Sequence, residues 1–565
     1  MKRLALIALL LLPLLAEGQT RLRLPADKLG KPVLFGSRII DVNRPMGKVF
    51  APGQRNPQPV LMHFELGPDS LVMLIPAGPR PGHRPKGLQK RVHPVRFPLV
   101  EVADDGSLVL DVTRYFSEYP HQVSAIPPRE LEKETELSYS LKTFENEDYL
   151  QVEGQYRYAS GLEVTAACYL LFLPEEPMPV RHVAGYNGEG FSQRWDLSRR
   201  PDITFYVDKA FPADWYPYIK EGIEDWNQAF EAAGLGSPIK VLPEPEGLDR
   251  HSPLVNMVRY MDVEEANAKG DVLVDPRSGE VLQGDILWWK NVTDLITDWR
   301  YIQTGVADPA ARQQVYPMEM LGPMIRYSIC HEMGHALGLN HNMGASWSYP
   351  ADSLHSPSFT QKYGTTASVM DYARYNHLAT EADVAKGVYL LPPRLGPYDY
   401  YVIGLGYSSQ APEAGEYCYY APMISAAISP DPSAQAESLG NNLLVSSSAG
   451  VQNCRALLKL DGMDAHRQAL ARKYYYRYLW LSLSNIGGCV NGIPVKEKEQ
   501  TKTLRFVLKS LSTVPEELYD EAQEKRILDE LDGNFLPLRV KETLGEKAWK
   551  RYLCRLKRAR KKYGY

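Results

Sequence analysis

Eleven consecutive residues constrain this chain more than the other 554: His331-Glu332-Met333-Gly334-His335-Ala336-Leu337-Gly338-Leu339-Asn340-His341. A helix over residues 323–337 would set His331 and His335 one turn apart on one face, so that both imidazoles reach a single metal ion. Gly338, with no Cβ, can then enter the left-handed conformation at no steric cost, and the chain turns so that His341 approaches the same ion. Three protein nitrogens leave a tetrahedral zinc with one open position for water, whose pKa falls to about 7. Glu332 follows the first ligand and is placed to take that water's proton. The pattern is one for metal-assisted hydrolysis. The shorter H-E-x-x-H would also fit an ordinary helix with two surface histidines; Gly338 and His341 are what make that reading hard to keep.

Downstream stands Ser368-Val369-Met370-Asp371-Tyr372. Between the two motifs run His341-Asn342-Met343-Gly344-Ala345-Ser346, Tyr349-Pro350-Ala351-Asp352-Ser353-Leu354 and Phe359-Thr360-Gln361-Lys362-Tyr363-Gly364. From the histidine helix to the methionine, this text resembles a bacterial metzincin-type zinc-dependent metalloprotease, of the group in which a long β-rich N-terminal region precedes the catalytic domain. The resemblance implies zinc held by His331, His335 and His341, with Glu332 as general base. Met370 would be the Met-turn residue, packed beneath the ligands, since a soft thioether is rarely chosen by zinc when imidazole is available. Tyr372 has the Met-x-Tyr spacing of some metzincin branches, in which the phenol reaches the zinc or the developing oxyanion. A buried structural tyrosine is the competing reading. The implied fold is a twisted mixed sheet above an active-site helix. Residues 280–289 are then the candidate edge strand for an extended peptide, although Trp288 and Trp289 fit core packing equally.

The rest of the chain reads as multidomain α+β. Lys2 and Arg3, an apolar run over residues 4–16 and the small residues Ala16 and Gly18 form a signal-peptide pattern with cleavage before Gln19. That run is too short to span a bilayer, and no comparable stretch follows, so an exported protein without a transmembrane segment is expected, periplasmic or extracellular. Short apolar segments at 33–40, 59–66, 71–75, 97–102, 108–112, 149–158 and 164–174, separated by Gly, Pro and Asp, predict an all-β domain over 19–190. The Pro- and Arg-rich stretch 79–96, with His83 and His93, reads as a loop. Residues 191–410 carry the metzincin-like pattern: a strand at 202–207, an amphipathic helix at 215–233, strands at 239–242, 254–260 and 280–289, the histidine helix, and a last helix at 397–407. Residues 411–452 read as an irregular connection, and helical periodicity at 464–484, 501–511, 516–531 and 542–561 predicts a small α-helical C-terminal domain within 411–565.

With 64 basic and 68 acidic residues, a net charge of −4 argues against nucleic acid as a partner and leaves polypeptide substrate as the one the site points to. The basic residues near the C-terminus read as cations at a helix end. Six cysteines in an exported chain permit disulfides, and their spacing names no pairing; Cys330 reads as a buried small hydrophobe. His355 and His377 read as cleft-lining or surface residues, the ligand set being complete without them. The alternative to an enzyme is a non-catalytic envelope or binding protein with a structural zinc. Against it stands Glu332, because a structural site is normally closed by a fourth protein ligand and needs no base.

Overall fold

A computed structural model describes residues 19–44, 52–55, 59–68, 70–76, 94–118, 136–188, 191–422, 429–533 and 535–565. The signal-peptide pattern and most of the Pro- and Arg-rich stretch, with His83 and His93, lie outside them. The chain divides into two compact units, one ending at Pro177 and one beginning at Met178.

Among the described residues the first unit is all-β apart from a 3-10 turn at Ala26–Lys28 and one short α-helix, α1 (Thr113–Glu118). Its strands are β1 (Arg21–Leu24), β2 (Pro32–Val42), β3 (Val60–Leu66), β4 (Leu71–Pro76), β5 (Val95–Val102), β6 (Leu108–Asp111), β7 (Glu136–Glu145), β8 (Tyr149–Tyr158) and β9 (Glu163–Phe172). They form one nine-stranded sheet in the order β1-β6-β5-β4-β3-β2-β9-β8-β7. Period-two alternation sends Leu22, Phe64, Leu74, Phe97, Leu110 and Leu170 to a single core, so the sheet curls around one face. Its two edges approach each other, and the Arg23 amide on β1 donates to Glu145 Oε1 at the end of β7 (2.6 Å). Seven of the nine strands are those the alternation predicts. The four residues of β1 are too few to carry a pattern, and β7 is polar and largely exposed at the sheet edge.

In the second unit, five strands form a sheet in the order β11-β10-β12-β14-β13: β10 (Ile203–Val207), β11 (Ile239–Pro243), β12 (Asn256–Met261), β13 (Ala268–Val274) and β14 (Val281–Trp289). All pairs are parallel except β13 with β14. This corrects the expected edge strand. Every residue of β14 is buried, because β12 and β13 flank it, and Trp288 and Trp289 are core. The edge on that side is β13, which the sequence reading does not single out.

Between β10 and β11 the expected long helix is interrupted, giving α2 (Tyr216–Glu224) and α3 (Asn227–Ala232). The interruption carries Trp226, whose indole N–H donates to the Cys330 carbonyl (2.9 Å). After β14 come α4 (Val292–Thr304) and α5 (Met318–Ala336), the histidine helix. Shorter helices α6 (Pro357–Tyr363) and α7 (Glu381–Ala385) precede α8 (Pro397–Tyr407). The tail holds α9 (Leu443–Leu457), α10 (Ala465–Ser482), α11 (Glu497–Ser512), α12 (Glu521–Asp532), α13 (Phe535–Leu544) and α14 (Glu546–Tyr563). Helix α9 corrects the irregular reading of 411–452; Asn442 caps it by accepting from the Val445 amide. Tyr301 and Ile302 of α4 share one core with α9 to α14, so the helical tail is built onto the part that carries the histidines. All six thiols are free, and Cys330 is buried with Sγ toward the Arg394 carbonyl.

Candidate metal centre

Helix α5 begins five residues before the sequence predicts, with Pro323 accommodated near its start. Two tryptophans fasten its last turns, Trp226 at Cys330 and Trp195 at the Ala336 carbonyl (2.9 Å). The helix ends at Ala336 with Leu337 as its C-cap, and Gly338 takes φ +89°. A Cβ there would lie 2.1 Å from the Gln193 carbonyl oxygen, so both conformation and space require glycine. The turn is braced from residues 185–187: the Asn340 amide donates to Gly185 O (2.7 Å), and Asn187 N to Gly338 O (2.7 Å).

His331, His335 and His341 converge, their ligand nitrogens all within 4.8 Å of one another. Two are aimed by their far nitrogens: His331 Nδ1 donates to the Val369 carbonyl (2.7 Å) and His335 Nδ1 to the Leu339 carbonyl (2.9 Å). Each Nε2 is thereby left as a lone pair facing the cluster. His331 Nε2 is buried with no hydrogen-bond partner among the described residues, and His335 Nε2 lies 3.1 Å from His341 Nε2. Two ligands of a tetrahedral zinc, at bond lengths near 2.0–2.1 Å, stand about 3.3 Å apart. The donor set therefore fits zinc. Burial and mutual proximity hold His331 well below the ordinary imidazole pKa; burial lowers His335, and burial and His335 bring His341 down to about 3. All three are neutral, as ligands must be.

Glu332 points toward the sheet, where its Oε2 accepts from the Gly270 amide on β13 (2.7 Å). Burial raises its carboxyl to about 7, against the opposing pull of that amide and of Lys269. The approach of β13 is close: a Cβ on Gly270 would meet the Glu332 carbonyl oxygen at 2.3 Å. Met370 is buried under the ligands, and a Cβ on Gly334, between His331 and His335 in the helix, would fall 2.2 Å from its sulfur. Tyr372 sets its ring 4.6 Å from that of His341 and 5.4 Å from that of His331. Burial, with Glu332 adding, pushes its phenol up to about 12, so it is a proton donor at neutral pH.

The Met-turn is held by buried polar groups that the sequence does not single out. Asp399 on α8 accepts from Ser368 Oγ (2.6 Å) and from the amides of Val369 and Gly396 (2.8 Å each). Asp371 accepts from the Ser346 amide (2.7 Å) and Thr366 Oγ1 (2.9 Å). Asn342, next to the third ligand, donates its amide to Met370 O (3.0 Å), and its side chain spans Tyr419 O and Ala421 N. His355 and His377 lie away from the cluster. His377 is buried against Ser446, which corrects its cleft or surface reading, and the partly exposed His355 pairs with Asp383 (2.8 Å). The only available signal for Asp399 or Asn342 was a short polar residue in an apolar stretch, which fits many positions.

Residues 313–553 match the family model described as Met-zincin, which covers the histidine helix, the Met-turn and the helices as far as the first half of α14. Met-zincins bind zinc, and the three-histidine cluster is able to hold it. No curated protein and no solved structure matches the chain.

Proposed function

We propose that this chain, whose residues 313–553 match the Met-zincin family model, is a zinc-dependent endopeptidase acting on extended polypeptide. The observation that carries the reading is the buried Glu332 carboxyl beside a three-imidazole cluster, to which no fourth His, Cys, Asp or Glu is added among the described residues. A structural zinc would be closed by a fourth ligand and would have no use for an adjacent base. Zinc held by His331, His335 and His341 supplies Lewis-acid chemistry, acidifying water and polarising a carbonyl.

The remaining steps belong to the chain's own groups. Glu332, with a pKa near neutrality, accepts a proton at its carboxylate as water attacks the scissile carbonyl, and returns it to the departing amine. The Tyr372 hydroxyl donates a hydrogen bond to the charge that develops on the carbonyl oxygen. Among the described residues strand β13 pairs only with β14, so its other edge, apart from the Gly270 amide held by Glu332, offers backbone groups with which an extended peptide pairs. Export is part of the proposal and rests on the charged start and apolar run of residues 1–18; among the described residues, no helix is long and apolar enough to cross a membrane.

Glu332→Ala tests the reading. The variant should keep its zinc and fold, because Glu332 holds no ion, while hydrolysis of a peptide library falls by roughly 10² to 10⁴-fold. A zinc-replete variant that cleaves as fast as the parent overturns the mechanism. A parent that binds zinc and cleaves nothing returns the site to a structural role.

A further inference from the structure

Among the described residues, four non-glycine positions have positive φ, and two of them, Arg374 (59°) and Glu437 (63°), are paired with each other. Neither side chain favours this backbone conformation, and such outliers persist only where their surroundings over-determine them. Both are buried. Arg374 Nη1 lies 2.5 Å from Glu437 Oε1, and Glu437 Oε2 is 3.5 Å from Arg477 Nε on α10. Removing two charges from water is costly, and a buried ion pair is weak evidence for stability; its better-attested use is to fix one arrangement among several.

What this pair fixes is Tyr372. The Glu437 amide donates to the Tyr372 carbonyl (2.9 Å), while the Arg374 guanidinium sits 5.2 Å from the centre of the Tyr372 ring and 3.5 Å from that of Trp299 on α4. Tyr372 is thus gripped at backbone and ring, with the same ring 4.6 Å from that of His341. We propose that Arg374 and Glu437 form a latch through which the helical tail positions Tyr372 over the metal-ligating imidazoles. They are positioning residues that act through Tyr372. The inference rests on the reading of the site as a zinc peptidase in which Tyr372 takes part. It also gives a reason for the helical tail and the histidine helix to fall within one family match.

The experiment uses the full chain with zinc and, separately, with cobalt(II) in its place. Glu437→Gln keeps the backbone amide and the side-chain shape but removes the charge. The latch predicts unchanged zinc content, kcat lower by about 10-fold and little change in KM. In a Tyr372→Phe background the same substitution should add less than about 2-fold, because its route is already cut. A further full tenfold loss there overturns the proposal. The visible spectrum of the cobalt protein is read independently of turnover: Glu437→Gln should shift it when Tyr372 is present and leave it unchanged in Tyr372→Phe. If the parent cleaves no peptide, the peptidase reading fails and the spectra still decide the latch; a spectrum unmoved by Glu437→Gln overturns the latch even in an active enzyme. Should Glu437→Gln fail to fold, Arg477→Ala loosens the same carboxylate from its half-exposed side and is read in both assays, with an unmoved spectrum again overturning the latch.

Discussion

Gly334→Ala sets two expectations of opposite sign against each other. Considered as one position in a helix, glycine is the poorer residue by about 1 kcal/mol, so alanine should stabilise. The packing says otherwise. A Cβ at 334 would lie 2.2 Å from Met370 Sδ and 2.9 Å from Trp226 Cζ2, both in the core beneath the site. Forcing an extra methyl into such packing costs about 1–3 kcal/mol, which leaves a net loss of roughly 0–2 kcal/mol after the helical gain. The larger effect should fall on the metal. Pressure on Met370 bears on the adjoining Val369, whose carbonyl holds His331 Nδ1, and loss of such a ligand-orienting contact would weaken metal binding about 10 to 100-fold. Zinc affinity by chelator competition, together with urea unfolding of the metal-free protein, separates the two effects. A variant more stable than the parent with unchanged zinc affinity would refute the claim that the sulfur seats against the helix at this glycine.

The elements most legible in the sequence were those whose signal is local. The histidine spacing and Gly338 as the turn residue follow from helix geometry and residue chemistry, Met370 beneath the ligands is implied by the metzincin resemblance, and the structure brings these residues together. Strand β8 could be read to its ends because its residues alternate strongly. Less legible was anything settled by a distant partner. Strand β13 is an edge because of what pairs with β14, and the need for glycine at 270 shows only when helix α5 is laid against it. The irregular reading of 411–452 rested on composition, yet Ser446, Ser447 and Gly450 of α9 are small because that helix packs closely, Gly450 against the Tyr478 ring. Arg374 and Glu437 are 63 residues apart and in sequence look like two surface charges.

Gly338→Val should abolish tight zinc binding while leaving helix α5 formed, since a β-branched residue fits neither φ +89° nor the space beside Gln193; metal content after dialysis reads this, and full occupancy refutes it. Tyr372→Phe should lower kcat by roughly 10²-fold with KM little changed, and turnover equal to the parent would return the phenol to a packing role. The last prediction concerns pH and Asp371. Burial raises this carboxyl to about 7, against an ordinary value of 3.8, and one of its oxygens has no hydrogen-bond partner among the described residues. Between those two values the folded chain keeps a proton that the unfolded chain has released, so stability falls as pH rises. The loss begins near pH 4 and is complete a little above pH 7, reaching on the order of 4 kcal/mol from this group. Asp371→Asn retains an acceptor for Ser346 and Thr366 but cannot ionise. Urea unfolding at pH 5 and pH 8 should therefore show the variant gaining on the parent as pH rises, whatever the other carboxylates contribute, since they are common to both. Parallel stability curves would mean that Asp371 is ionised in the fold at pH 5 already, with water or a cation at the oxygen left unpartnered here.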